Sequence, residues 1–166
     1  MSATSSLETS LSNAFKSAPK LPVGAKNLLV AWMPWFNLLG GLLSLYAAYS
    51  LYHWAHVANA LTDYANSLSE AFGGGKVVND RWSVTVWVGL IVLVIEGVIF
   101  LAAFPGTKAR KLGGWRLVFY AAILNAVYGI VSMFTDYGGA SSLIGYIIGT
   151  VVGLYFLFQI RDAYTG

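Results

Sequence analysis

The sequence predicts an all-α integral membrane protein: an antiparallel bundle of four transmembrane helices with an additional amphipathic helix on its outer face. Of the 166 residues, 57% are hydrophobic and only 10% are charged, whereas a soluble domain has about 25% charged residues. Four apolar runs, each near the roughly 20 residues needed to cross a hydrocarbon core, indicate four spans. Most connections between them are short, which favours antiparallel neighbours.

A polar segment, residues 1–27, precedes the membrane domain, residues 28–166. The segment is rich in serine, and Pro19 and Pro22 separate it from the first span. Leu7, Leu11 and Phe15 recur every four residues and could form a short helical face, but we favour a flexible cytoplasmic tail. No apolar core with a small-residue cleavage site follows the start, so a removable signal peptide is not expected.

The four spans are predicted at about 28–52, 83–104, 115–134 and 143–160. Pro34 lies in the first span, where a proline is tolerated near the beginning of a helix but would kink the helix further inside. Pro105 and Gly106 are expected to end the second span.

Residues 53–72 differ from the spans because their apolar and polar side chains separate onto opposite helical faces. Trp54, Leu61 and Phe72 lie on the apolar face, and His53 and Asp63 lie on the polar face. This pattern predicts an amphipathic helix. It either lies on the outer membrane surface or continues the first span and docks on a neighbouring helix.

The positive residues are distributed unequally between the two sides of the predicted spans. Two of them, Lys76 and Arg81, lie between the first two spans. The other eight lie in the tail, after the second span and at the C-terminus: Lys16, Lys20, Lys26, Lys108, Arg110, Lys111, Arg116 and Arg161. Because positive residues concentrate on the cytoplasmic side, both termini are predicted to be cytoplasmic.

The positive cluster after the second span, Lys108, Arg110, Lys111 and Arg116, could in addition contact anionic lipid headgroups. The net charge of +3 mostly reflects these loop residues, so we predict no binding of nucleic acid.

Glu96 lies near the middle of the second span, where insertion of the closely related Asp costs about 2.5–3.5 kcal/mol. Counting about 1.5 Å per residue from the span ends places Asn37, Asn125 and Thr150 at a similar depth on the other three helices. We therefore expect a layer of mutual hydrogen bonds inside the bundle. The favoured interpretation is that a neutral Glu96 holds the helices together. The alternative is that it binds and releases a proton or a cation during transport.

The fourth span carries a GxxxGxxxG run, Gly145, Gly149 and Gly153. Small residues at this spacing let two helix backbones approach closely in a membrane. The partner helix belongs either to the same chain or to a second subunit, and the sequence favours neither.

His53 and His56 form an HxxH motif, with Asp63 on roughly the same helical face. These residue types bind zinc and related ions, but tetrahedral zinc requires more ligands than are visible here. We therefore predict no cofactor, and keep a metal, or a pigment held by one histidine, as the alternative. The chain has no cysteine and no metalloprotease, hydrolase or nucleotide-binding motif, so we expect a protein that is not an enzyme.

Three functional hypotheses follow, in this order. The first is a membrane protein that acts through helix association, as a homo-oligomer or as a subunit of a membrane complex. The second is a small proton- or cation-coupled transporter or channel that uses Glu96. The third is an outer-face binder of a metal or cofactor through His53 and His56.

Overall fold

The computed structural model describes residues 3–75, 84–132 and 140–166. Across these ranges the chain is helical and contains no strand, apart from one isolated bridge between Lys111 and Thr165. The helices are α1 (Ala3–Phe15), α2 (Val23–Ala71), α3 (Val84–Lys108), α4 (Leu112–Ser132) and α5 (Ala140–Gln159), followed by a short 3-10 turn (Arg161–Ala163).

Three of these helices, α2, α3 and α4, are long and apolar enough to cross a membrane. The apolar stretch described in α5 is shorter and covers Ile147–Gln159. The all-α fold is therefore confirmed, with three long apolar helices. The predicted start of the second span at residue 83 and the predicted end of the third at residue 134 lie outside the described residues, as do Lys76 and Arg81.

The N-terminal segment forms a helix, where the sequence favoured a flexible tail. Phe15 stacks on Phe158 of α5, with ring centroids 5.6 Å apart. Glu8 is buried and pairs with Arg116 at 3.2 Å and with Arg161 at 2.7 Å. Since both arginines lie more than 100 residues along the chain, local sequence reasoning could not anticipate the contacts that hold α1 in place.

Helix α2 includes both the predicted first span and the predicted amphipathic helix. It has 49 residues and is therefore about 73 Å long, more than twice the roughly 30 Å of a hydrocarbon core. Of the two positions proposed for residues 53–72, the structure shows the continuation of the first helix, through Ala71. It does not show docking of the apolar face on a neighbouring described helix, since Trp54 and Leu61 are exposed. Pro34 lies inside the helix rather than at its beginning.

Helix α3 continues past Pro105 and Gly106, which were expected to end it, and stops at Lys108. The amide of Ala109 still donates to the Pro105 carbonyl at 3.0 Å. A proline inside a helix lacks its own backbone donor and its ring crowds the carbonyl four residues earlier, but it leaves the later donors in place, so one more turn can form. The chain then reverses at Arg110, whose φ of 53° is left-handed.

The helices pack in chain order, α2 on α3, α3 on α4 and α4 on α5. Helices α2 and α3 cross closely where Gly41 faces Gly97, and α3 and α4 cross closely where Gly106 faces Gly114. The core lies at the end of the bundle where both termini and the α3–α4 turn meet, and Trp115 anchors it by donating to the Leu157 carbonyl at 2.9 Å.

Candidate functional site

A cleft of about 790 Å³ lies between α2, α3, α4 and α5. Among its 17 lining residues are all four residues of the predicted polar layer and all three glycines of the predicted packing run. These seven are Asn37, Glu96, Asn125, Thr150, Gly145, Gly149 and Gly153. The structure therefore places two features that the sequence treated separately on the walls of one cleft.

Glu96 is the ionisable residue of this cleft, and it is 8% exposed. Asn125 of α4 donates from Nδ2 to Glu96 Oε1 at 2.5 Å. Among the described residues that line the cleft there is no Lys, Arg or His. The carboxyl group is thus held by a neutral amide, with no cationic side chain beside it.

Asn37 does not reach Glu96 but bonds to a residue that sequence reasoning missed. Its Nδ2 donates to the hydroxyl of Thr107 at 3.1 Å, and both residues are almost fully buried. That hydroxyl in turn donates to the Ala103 carbonyl at 2.9 Å. Thr107 lies 11 residues after Glu96, about three helical turns and 16 Å along α3.

The expected single layer is therefore two polar levels on one face of α3, Glu96 with Asn125 and Thr107 with Asn37. The 11-residue spacing could have revealed this, because 11 residues at 3.6 per turn return to the same face. The sequence hides this signal, because Pro105 and Gly106 are typical of a helix end and Thr107 lies beyond them. Thr150 of α5 also lines the cleft, and its side chain is half-buried.

The glycines of α5 form an open wall of the cleft. A Cβ atom built on Gly145, Gly149 or Gly153 would meet nothing within 4 Å. On Gly97, by contrast, it would lie 2.8 Å from Leu45 and 3.1 Å from the Gly41 carbonyl oxygen. Across the described ranges the close helix crossings are made by other glycines, and the run on α5 leaves space.

The cleft opens between α2 and α5, which do not pack extensively against each other within the described ranges. At the end of the cleft near the two termini, the segment that precedes α2 is hydrogen-bonded to α5. Tyr155 donates from its hydroxyl to the Pro19 carbonyl at 2.6 Å, and Gln159 both donates to that carbonyl at 3.2 Å and accepts from the Leu21 amide at 3.2 Å. These bonds join the two walls of the cleft at this end.

The positive cluster at the α3–α4 turn is partly engaged inside the chain. Lys108 lies over the rings of Trp35 and Phe104, with its Nζ 5.8 and 5.6 Å from their centroids. Arg116 pairs with Glu8, while Arg110 and Lys111 are exposed in the turn. Contact of the cluster with lipid headgroups stays a prediction.

His53, His56 and Asp63 are all exposed on α2, away from the cleft. His53 stacks on Tyr49 and His56 meets the edge of Tyr52. In the part of the chain that the structure describes, no three His, Asp or Glu side chains are grouped as a metal site. Metal or pigment binding here also stays a prediction.

The site has to be interpreted from its own chemistry. No family model, curated protein or solved structure matches this chain.

Proposed function

We propose that this chain is a four-span integral membrane protein, not an enzyme, which binds and releases a proton or a small cation at Glu96 within the cleft. The spans lie in α2, α3, α4 and α5, and both termini are cytoplasmic. One observation carries the proposal: a buried carboxyl group lies on the wall of an open cleft beside a neutral amide, and no described lining residue is positively charged.

The membrane setting is supported by composition and by the position of the charges. Three helices have the length and apolarity of spans, and α5 is apolar over most of its described length. The N-terminal helix, the α3–α4 turn and the C-terminus meet at one end through Glu8, Arg116 and Arg161. Eight of the ten Lys and Arg residues lie in or close to these segments, three of them between the N-terminal helix and the first turns of α2, so this end is the cytoplasmic one. A C-terminal reporter fusion that gives an external signal would overturn this orientation.

The chemistry of the cleft favours an ion over a purely adhesive role for Glu96. A carboxyl group at this depth has to be neutralised by a proton or a cation, or reached by water. The cleft provides room for such an exchange directly beside it. An adhesive residue would instead be enclosed by tightly packed helices, as Gly41 and Gly97 are.

Proton flux into proteoliposomes tests the proposal. The protein is reconstituted with a trapped pH-sensitive dye, a pH gradient is imposed, and the membrane potential is clamped with valinomycin and equal potassium on both sides. We expect Glu96→Gln to remove the protein-dependent flux, because the amide keeps the shape but cannot exchange a proton. Glu70→Gln, which changes an exposed carboxyl group on α2, is the matched control and should leave the flux intact. Equal flux in the parent and Glu96→Gln proteins refutes the proposal.

Helix association is the second candidate, and the open glycine wall of α5 favours it. Since no atom of the described residues occupies the space beside Gly145, Gly149 and Gly153, a helix of another subunit could approach there. Gly149→Leu should then abolish oligomers seen by native mass spectrometry in detergent. Gly24→Leu, at an equally open position near the start of α2, is the control, and unchanged assembly in Gly149→Leu would exclude this interface.

A further inference from the structure

We infer that the cleft binds lipophilic organic cations, that is, amphiphilic tertiary amines and quaternary ammonium or phosphonium compounds, with the positive centre paired to Glu96. This inference rests on the proposed function: it keeps Glu96 as the ion site and assigns to that site a lipophilic organic cation in place of a small metal ion. It goes beyond proton exchange because it uses the walls of the cleft as well as its carboxyl group.

The charge of the cleft determines the charge of the ligand. Glu96 is the single ionisable group among the described residues that line the cleft, and Asn125 holds one of its oxygens. No positive side chain of α2, α3, α4 or α5 faces it there. A ligand that carries its own positive charge therefore supplies the missing neutralisation. If the carboxyl group is protonated beforehand, its proton leaves to water as the cation binds, so charge is conserved.

The walls of the cleft define the rest of the ligand. Of the 17 lining residues, 13 are apolar or glycine, which matches an organic cation and disfavours a hydrated metal ion. Phe36, Phe100 and Phe156 contribute three aromatic rings. Phe100 lies one helical turn after Glu96 on α3, so a cation at the carboxyl group is within range of its ring, and such contacts add to binding.

Size and access agree with this chemistry. Pockets for drug-sized molecules have volumes of roughly 300–1,000 Å³, and this cleft has about 790 Å³. Gly145, Gly149 and Gly153 leave the α5 side open. In the proposed orientation that opening faces the hydrocarbon core, where amphiphilic cations accumulate and hydrophilic ions do not.

Binding of tetraphenylphosphonium to the full-length protein in detergent tests the inference. The matched probe is tetraphenylborate, which has nearly the same size and shape but a negative charge. We expect saturable binding of the cation, no saturable binding of the anion, and at least a tenfold weaker affinity for the cation in Glu96→Gln. Glu70→Gln should bind the cation as the parent does.

A second pair of variants removes a ring without touching the carboxyl group. Phe100→Leu should weaken binding of the cation by about threefold or more, whereas Phe104→Leu, a ring one turn further along α3 that does not line the cleft, should not. Each variant is first compared with the parent by thermal unfolding, so that loss of binding is separated from loss of folding.

Three results would overturn the inference: no saturable binding of the cation, an unchanged affinity in folded Glu96→Gln, or equal binding of tetraphenylborate. The proton-flux assay then shows which proposal has failed. Flux that depends on Glu96, in a protein that does not bind tetraphenylphosphonium, removes the organic cation but keeps the ion site. Absence of both removes the ion site as well.

Discussion

Replacing Gly114 by alanine should separate α3 from α4 at their closest crossing. A Cβ atom on Gly114 would lie 2.4 Å from the carbonyl carbon of Gly106 and 2.4 Å from the amide nitrogen of Thr107. Carbon atoms in ordinary contact are about 3.5–4.0 Å apart, so the two backbones have to move apart by about 1 Å. Both opposing atoms belong to the backbone and cannot rotate away.

The cost follows from this geometry. Overpacking a well-packed site costs typically 1–3 kcal/mol, and the upper end applies because the clash is with backbone. Moving Thr107 also weakens the buried hydrogen bond from Asn37, which is worth about 1 kcal/mol. We therefore expect Gly114→Ala to lose about 3–4 kcal/mol of unfolding free energy, before any gain in helix propensity.

Gly113→Ala is the matched control, because a Cβ atom at the neighbouring position meets nothing within 4 Å. Both substitutions bring a similar gain in helix propensity, at most about 1 kcal/mol, so the difference between the two variants isolates the helix crossing. Unfolding in mixed micelles with increasing dodecyl sulfate, followed by tryptophan fluorescence, measures both free energies. If the two variants agree within about 0.5 kcal/mol, a typical range for neutral substitutions, the crossing is not as close as the structure has it.

Two further predictions concern the end of the bundle near the termini. Glu8→Gln removes two ion pairs and should cost about 1–2 kcal/mol of unfolding free energy. The cost is no larger because the arginine partners are 36–44% exposed, so solvent partly screens both pairs. The loss should be smaller in 1 M salt, and the control Glu70→Gln should show no loss. Burial raises the pKa of Tyr164, and the charge of Arg110 only partly opposes this. The phenol therefore favours folding below its unfolded-state pKa of about 10, and this contribution is lost as pH rises through the higher folded-state pKa. Comparing the phenolate absorbance of the parent with that of Tyr164→Phe measures this titration, and a midpoint at or below 10 would contradict it.

The sequence predicted the helices well because their signals are local. Apolar runs and the charge deficit indicate the α class directly, and three helices confirm the length and apolarity expected of spans. The same local signals misplaced helix ends. Pro105 and Gly106 are typical of a helix end, yet α3 continues to Lys108, because a proline lacks its own backbone donor but leaves the donors after it in place.

The candidate site was predictable in its residues but not in its pairings. Counting residues from the span ends predicts that Glu96 and Asn125 lie at a similar depth in the membrane, and the two side chains do form a hydrogen bond. The same count could not predict the hydrogen-bond partner of Asn37, because Thr107 lies beyond the expected end of the helix. The ion pairs of Glu8 could not be predicted for a different reason. Its partners Arg116 and Arg161 follow it by 108 and 153 positions in the sequence.

The glycines show why a motif alone does not identify a helix interface. The regular run on α5 is the strongest packing signal in the sequence, whereas the glycines that make close crossings stand apart from any such run. What matters is a second glycine on the facing helix, as Gly97 has in Gly41, and that pairing is a property of two helices together. Among the described residues the glycines of α5 have no such counterpart, and the space they leave lies beside Glu96. Gly149→Leu fills that space and would affect both an ion site and a subunit interface, whereas Glu96→Gln preserves shape and would affect only the ion site. The two variants together therefore decide between the functions that one cleft allows.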